Sequence, residues 1–158
     1  MNNERKWILR GGRVLNPAPF CLIGIVNVTP DSFSDGGKYI DPCNAVAHGL
    51  RLLDEGAGML DLGAESTRPF AEPVPEGEEI ARLMPVVARL REQRPDAVLS
   101  VDTLKAGTAR AALEGGADII NDVSACVADP ALLDVLAEYK PGYVLMHSQG
   151  SPREMQVN

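Results

Sequence analysis

The chain has 158 residues and a formal net charge of −7; 45% of its residues are hydrophobic and only 4% aromatic, with 15 Gly and 12 Pro. That is the composition of one α/β-type domain, and it excludes a fibrous or disordered chain. An acidic balance without a basic run argues against nucleic acid or an anionic membrane as partner.

No stretch approaches the roughly 18 apolar residues of a membrane span, and Met1 to Arg10 lacks the apolar centre of a signal peptide. Cys21, Cys43 and Cys126 are far apart and form no C-x-x-C pair. They read as free thiols of a cytoplasmic protein. With His48 and His147 they supply no zinc site at a usual spacing.

Residues 6–10 and 13–15 flank Gly11-Gly12 and predict a short hairpin, suited to plug the N-terminal end of a barrel. Pro17 and Pro19 then break the chain before a first core strand over residues 21–26. Its apolar run, Leu22, Ile23, Ile25 and Val26, suits a parallel strand covered on both faces. The strand opens into a polar loop carrying Asn27, Thr29, Asp31 and Asp35, closed by Gly36-Gly37. Asp41-Pro42 predicts a helix start, with Val46, Leu50 and Leu53 as its buried stripe and Gly56 as its end.

Met59, Leu60 and Leu62 predict the second strand, running into a second polar stretch, Asp61 to Pro69. That connection continues through Pro73 and Pro75, a length typical of lids and binding loops. A helix is expected from about Glu78 to Gln93, with Ile80, Leu83, Met84, Val87 and Leu90 inward and Met84 as core filler. Residues 98–101 predict a third strand ending at Asp102-Thr103. Lys105 to Glu114 predicts a helix closed by Gly115-Gly116. Ile119 and Ile120 predict a fourth strand ending at Asn121-Asp122. Asp129-Pro130 opens a helix bearing Leu132, Val135, Leu136 and Tyr139, and residues 143–146 form a fifth strand ending at His147.

Strand and helix alternate throughout, which means a parallel sheet with right-handed crossovers. Every strand ends in polar residues: Asn27, then Glu65 with Thr67 and Arg68, then Asp102, Asn121 and His147. Five polar ends in succession argue for one shared crevice at the carboxyl ends of the strands. There a carboxylate at Asp102 accepts and an amide at Asn121 both accepts and donates, matching the edge of a planar heterocycle. Capping of the next helix by Asp102, and an αL turn at Asn121-Asp122, are the alternatives at these two positions. Asn27 can offer an oxygen to Mg²⁺, an ion that takes few protein ligands. Thr67 and Arg68 can hold a carboxylate or diphosphate, or Arg68 can simply be solvated. No Ser or Cys nucleophile pairs with His147, which reads as structural.

Taken together, these stretches resemble the dihydropteroate synthase family. The resemblance rests on Asn27-Val28-Thr29-Pro30-Asp31-Ser32-Phe33-Ser34-Asp35-Gly36-Gly37, Gly63-Ala64-Glu65-Ser66-Thr67-Arg68-Pro69, Ser100-Val101-Asp102-Thr103 and Gly116 to Ser124, and continues from Leu145 to Gln156. It implies a (β/α)₈ barrel of the TIM type that condenses 6-hydroxymethyl-7,8-dihydropterin diphosphate with 4-aminobenzoate, with Mg²⁺ as cofactor. It also implies a homodimer and a sulfonamide target. By resemblance, Asp102 and Asn121 bind the pterin, flanked by Val123 and Met146, and Asn27 binds Mg²⁺ or the diphosphate. Phe33, Asp35, Thr67, Arg68 and Pro69 would lie on two flexible loops over the aminobenzoate, with Asp35, Thr67 and Arg68 catalytic. Diphosphate leaves first and the arylamine attacks the pterin cation, so the help required is electrostatic.

Two departures stand out. Phe70 replaces the usual Gly and Ala64 a common Gly. The sequence also covers only about five of the family's eight β/α units. It lacks the later pterin-binding Asp and Lys and the late Arg and His that hold the diphosphate. The expectation is a chain weakly active or inactive alone, needing a complementing fragment or self-association. A non-catalytic pterin-binding fragment and a pterin-dependent methyltransferase-like domain are the competing readings.

Overall fold

The computed structural model describes residues 6–29, 41–65 and 73–146. Strand β1 (Trp7–Ile8) pairs antiparallel with β2 (Val14–Leu15) across a 3-10 turn at Arg10–Gly12. Gly11 and Gly12 hold φ of +67° and +78°, a region a side chain resists, and this is why the turn takes two glycines.

Five further strands form a parallel sheet in strict sequence order: β3 (Ile23–Asn27), β4 (Met59–Gly63), β5 (Leu99–Asp102), β6 (Ile119–Asp122) and β7 (Gly142–Leu145). Between them run α1 (Pro42–Asp54), α2 (Glu76–Gln93), α3 (Ala106–Glu114) and α4 (Leu132–Tyr139). Each helix packs on the next in order, so all lie on one face of the sheet. Order without reversal and helices on one side are barrel winding; a doubly wound sheet would reverse direction and carry helices on both faces.

The two-residue period of the strands sorts side chains between two clusters. Val26, Leu60, Leu62, Leu99, Val101 and Ile120 pack outward with helix residues such as Leu83, Val87, Leu90 and Leu113. A Cβ on Gly24 would stand 2.9 Å from Leu60 and 3.0 Å from Leu52, so α1 seats directly on bare backbone there. The alternate residues Met59, Val98 and Ile119 pack inward with Leu9, Trp7 and Leu15 of the hairpin. The hairpin thus closes the amino-terminal end of the sheet. Arg13 holds it there, donating to Asp118 Oδ1 at 2.7 Å, while Arg91 and the Leu99 N–H both donate to Asp118 Oδ2 at 3.0 Å.

Three sequence expectations shift. β3 is not covered on both faces: Ile23 and Ile25, on its inner face, are each 51% exposed, and β3 stands at the edge of the sheet. Helix α2 starts at Glu76, ahead of the expected Glu78, because the Pro75 carbonyl accepts from the N–H groups of both Glu78 and Glu79. Asp129 does more than open α4. Its Oδ1 accepts from Ala131 N at 3.1 Å, and its Oδ2 reaches across to cap α3 at Ala106 N, 2.8 Å away. The Asp41-Pro42 start holds, with Asp41 accepting from Cys43 N at 2.8 Å.

Leu62 is fully buried between sheet and helices. Leu62→Ala is expected to cost about 3 kcal/mol, the usual transfer plus cavity cost of a core leucine. Urea unfolding followed by circular dichroism measures it.

Candidate active site

Register decides which strand-end residues meet. Asn27, Gly63, Asp102, Asn121 and Val144 are successive Cα partners across the sheet, one row at its carboxyl end. The row beneath is Ile25, Asp61, Ser100, Ile119 and Gly142. Both rows share the parity of Met59 and Ile119, so they face away from the helices, into the concave side. The sheet therefore brings together Asn27, Asp102 and Asn121, three of the residues singled out from the sequence.

Each is presented differently. Asn27 is exposed, and its side chain has no hydrogen-bond partner among the described residues. Gly63, between Asn27 and Asp102, contributes no side chain; a Cβ there would lie 3.8 Å from Asp102 Oδ2, so the space over Asp102 stays open. Asn121 Nδ2 donates to Asp61 Oδ2 at 2.9 Å. With Nδ2 as donor to a carboxyl oxygen, this contact fixes the amide and leaves one N–H and the carbonyl oxygen for a ligand. Asp102 does not cap α3: Thr103 Oγ1 accepts from Lys105 N at 3.2 Å just ahead of the helix, and Asp129 Oδ2 reaches Ala106 N. No donor among the described residues reaches the Asp102 carboxylate. Asn121 sits in regular strand, not in an αL turn.

Asp61 was not singled out from the sequence as a site residue, because it lies inside an apolar run. The available signal was period: Asp61 alternates with Leu60 and Leu62 and must face the opposite side from them. It is only 9% exposed, and its Oδ1, like the buried Ser100 Oγ beside it in register, has no partner among the described residues.

Burial raises the Asp102 pKa from 3.8 to about 7, and the charges of Asp61, Glu79, Asp122 and Glu65 push in the same direction. Asp122 behaves oppositely. Burial works against its charge too, but hydrogen bonds from Ser124, Cys126 and Tyr143 outweigh it and hold the pKa below the ordinary value. Those bonds measure 2.7 Å from Ser124 N, 2.6 Å from Cys126 N and 2.9 Å from Tyr143 OH. They pin the turn in which Ala125 and Cys126 take φ of +54° and +62°. Val123 leads into this turn. Met146 N donates to the Asp122 carbonyl at 3.2 Å, so Val123 and Met146 are both held beside the Asn121 end, each half-buried.

Phe33, Asp35, Thr67, Arg68, Pro69, Phe70 and His147 lie outside the described residues. Among the described residues no group of three or more His, Cys, Asp or Glu side chains can hold a metal. The exposed, unpartnered Asn27 amide is compatible with an ion such as Mg²⁺ that needs only one or two protein oxygens.

A parallel sheet wound in sequence order, with helices outside and a polar crevice at the strand ends, is the architecture of a TIM-barrel enzyme. The sequence pattern described as "Pterin binding enzyme" matches residues 23–158, and the chain belongs to that family. It is 50% identical over 130 residues to the dihydropteroate synthase of Mycobacterium leprae (strain TN), spanning 82% of this chain and 45% of that protein. The dihydropteroate synthase of Xanthomonas albilineans solved with 4-aminobenzoic acid superposes with a TM-score of 0.82 and 48% identity, over 92% of this chain and 54% of that one. The Yersinia pestis dihydropteroate synthase, solved as a sulfonamide drug complex, gives a TM-score of 0.85 and 42% identity, over 98% and 55%. The chain thus spans about half the length of the relatives it matches.

The raised Asp102 pKa has a thermodynamic consequence. Its folded value, about 7, exceeds the ordinary 3.8, so between these limits the folded state binds more protons than the unfolded state. Asp102 therefore contributes stability at low pH that is lost as pH rises toward and through about 7. Asp102→Asn is expected to flatten the fall in Tm between about pH 4 and 8 and to be more stable than the parent at the upper end. Scanning calorimetry across that range checks both.

Proposed function

We propose that the protein is a dihydropteroate synthase, joining 6-hydroxymethyl-7,8-dihydropterin diphosphate to 4-aminobenzoate with release of diphosphate. The observation that carries this reading is the Asn27–Gly63–Asp102–Asn121 row on a chain of the pterin-binding family. Asp102 accepts paired N–H donors from the pterin edge. Asn121, oriented by Asp61, completes the match with one donor and one acceptor. Val123 and Met146 supply apolar edges to the ring.

The reaction breaks the C–O bond to diphosphate and forms a C–N bond to the arylamine, which sheds a proton. No side chain needs to attack. The carboxylates Asp61 and Asp102 on the concave face favour a species in which the pterin methylene has become cationic, and they are set in place before the charge develops. Bound Mg²⁺ supplies charge neutralisation of the diphosphate, and Asn27 is the residue to hold it. Asp35, Thr67 and Arg68, with Phe33 and Pro69, act on the arylamine and the leaving group in this reading; their place in the signature stretches supports it. The three free thiols support a reducing compartment, the cytoplasm. The family resemblance supports a homodimer.

Purified protein is expected to bind the dihydropterin diphosphate, with Mg²⁺ present, in calorimetry; no heat of binding would sink the reading. In calorimetry, Asp102→Ala is expected to weaken dihydropterin binding at least about tenfold, the scale of leaving buried donors unpaired. Because ligand N–H groups favour the ionised carboxyl, binding near pH 6.5 is expected to release a proton from Asp102. Titrations in buffers of different ionisation enthalpy reveal it, and Asp102→Asn should abolish it.

A further inference from the structure

In the lower concave row, Asp61 and Ser100 are Cα partners flanked by Ile25 on one side and Ile119 on the other. Asp61 is 9% exposed and Ser100 fully buried. Asp61 Oδ2 accepts from Asn121 Nδ2 at 2.9 Å, whereas Asp61 Oδ1 and Ser100 Oγ have no partner among the described residues. A buried polar atom left unpaired costs more than its hydrogen bond would contribute, so both atoms call for a partner.

The two side chains share one face of adjacent strands, yet the Ser100 hydroxyl does not reach the Asp61 carboxyl directly. A group between them has to accept from the hydroxyl and donate to the carboxyl oxygen. Directly above, two residues on along the same face, stand Gly63 and Asp102. Gly63 leaves room there, because a Cβ on it would meet only Asp102, at 3.8 Å. The Asp102 carboxyl is a third polar group around this space, and of the charges acting on it that of Asp61 is the strongest. Three polar partners and a small gap are what a buried water takes, and an anion would be repelled by both carboxyl groups.

We propose that Asp61 and Ser100 hold one ordered water beneath the Asp102–Asn121 row, and that this Ser100–water–Asp61 chain fixes the Asn121 amide for the pterin edge. The water subsite stands on the geometry alone; the positioning role of Ser100 and Asp61 rests on the synthase reading above. The chain ends on the amide that offers the ring one donor and one acceptor, so a loosened Asp61 loosens that amide.

Two measurements without ligand test the water. A crystal structure that shows ordered solvent is expected to place one water within hydrogen-bond distance of Asp61 Oδ1 and Ser100 Oγ, and to lose it in Ser100→Ala. Ser100→Ala is also expected to lower Tm by about 2–4 °C, the scale of one hydrogen bond in a domain of this size. In a dry site the same change would remove an unpaired buried hydroxyl and raise Tm. A dry gap in the parent, or a Tm that does not fall, overturns the proposal. Calorimetry with the dihydropterin diphosphate tests the positioning role. Ser100→Ala is expected to weaken binding about fivefold, and to have no further effect in an Asn121→Ala background, because the chain acts on the ligand through that amide. Losses that multiply across the two sites overturn the positioning role. Ser100→Cys, close in shape with a weaker donor, should fall between parent and alanine variant and takes its place if the latter does not fold. If the parent binds no dihydropterin, the synthase reading fails, and the crystal and melting measurements alone decide the water subsite.

Discussion

The parallel register of the five central strands is the constraint on which the rest depends. Parallel pairing in sequence order puts all carboxyl ends at one end of the sheet, and the two-residue period puts every second side chain on the concave face. Asn27, Asp102 and Asn121 are far apart in the chain yet occupy one row because their strands pair without slippage. A slip of one residue would send all three toward the helices and place Val26, Val101 and Ile120 in the crevice. The outward packing of those apolar residues is therefore what holds the polar row in place.

The concave face concentrates acidic groups, and the fold treats neighbouring carboxylates in opposite ways. Asp122 faces outward, takes hydrogen bonds from a turn and a tyrosine, and stays ionised as a structural pin. Asp102, inward by the same period and on the adjacent strand, is buried beside other carboxylates and receives no donor among the described residues; its pKa rises to about 7. A carboxyl group left waiting for donors suits a ligand that brings its own N–H groups. The difference between the two aspartates comes from their faces and partners, since the residue type is the same.

Lys105 links this site to the outer helices. It bridges Glu65, at the tip of β4, and the buried Glu79 of α2. Both carboxylates also act on Asp102. The charge balance around Asp102 thus extends to the outer helices through one cation at the start of α3.

Much of the fold was legible from the chain alone. The alternation of apolar runs with helical stripes, the Asp41-Pro42 start and the Gly11-Gly12 turn each express a local preference that the tertiary structure keeps. The polar strand ends Asn27, Asp102 and Asn121 do fall in one row at the carboxyl end of the sheet. Other features were decided only in three dimensions, because they depend on partners distant in sequence. Asp61 reads as the start of a polar stretch, and only the sheet shows that its carboxylate accepts from Asn121, sixty residues on. Asp129 reads as the opening of its own helix until its second oxygen is seen capping α3. Asp102 was a candidate cap for the helix that follows it, and the carboxylate that reaches that helix is Asp129 instead. The apolar run of β3 predicted burial on both faces, but whether a strand is central or at an edge is a property of the sheet. Sequence by itself determined the elements and the chemistry available at their ends, through short-range backbone preference and side-chain period. Tertiary structure decided which of those groups meet and which stay ionised, because contact and burial are set by packing between residues the chain keeps far apart.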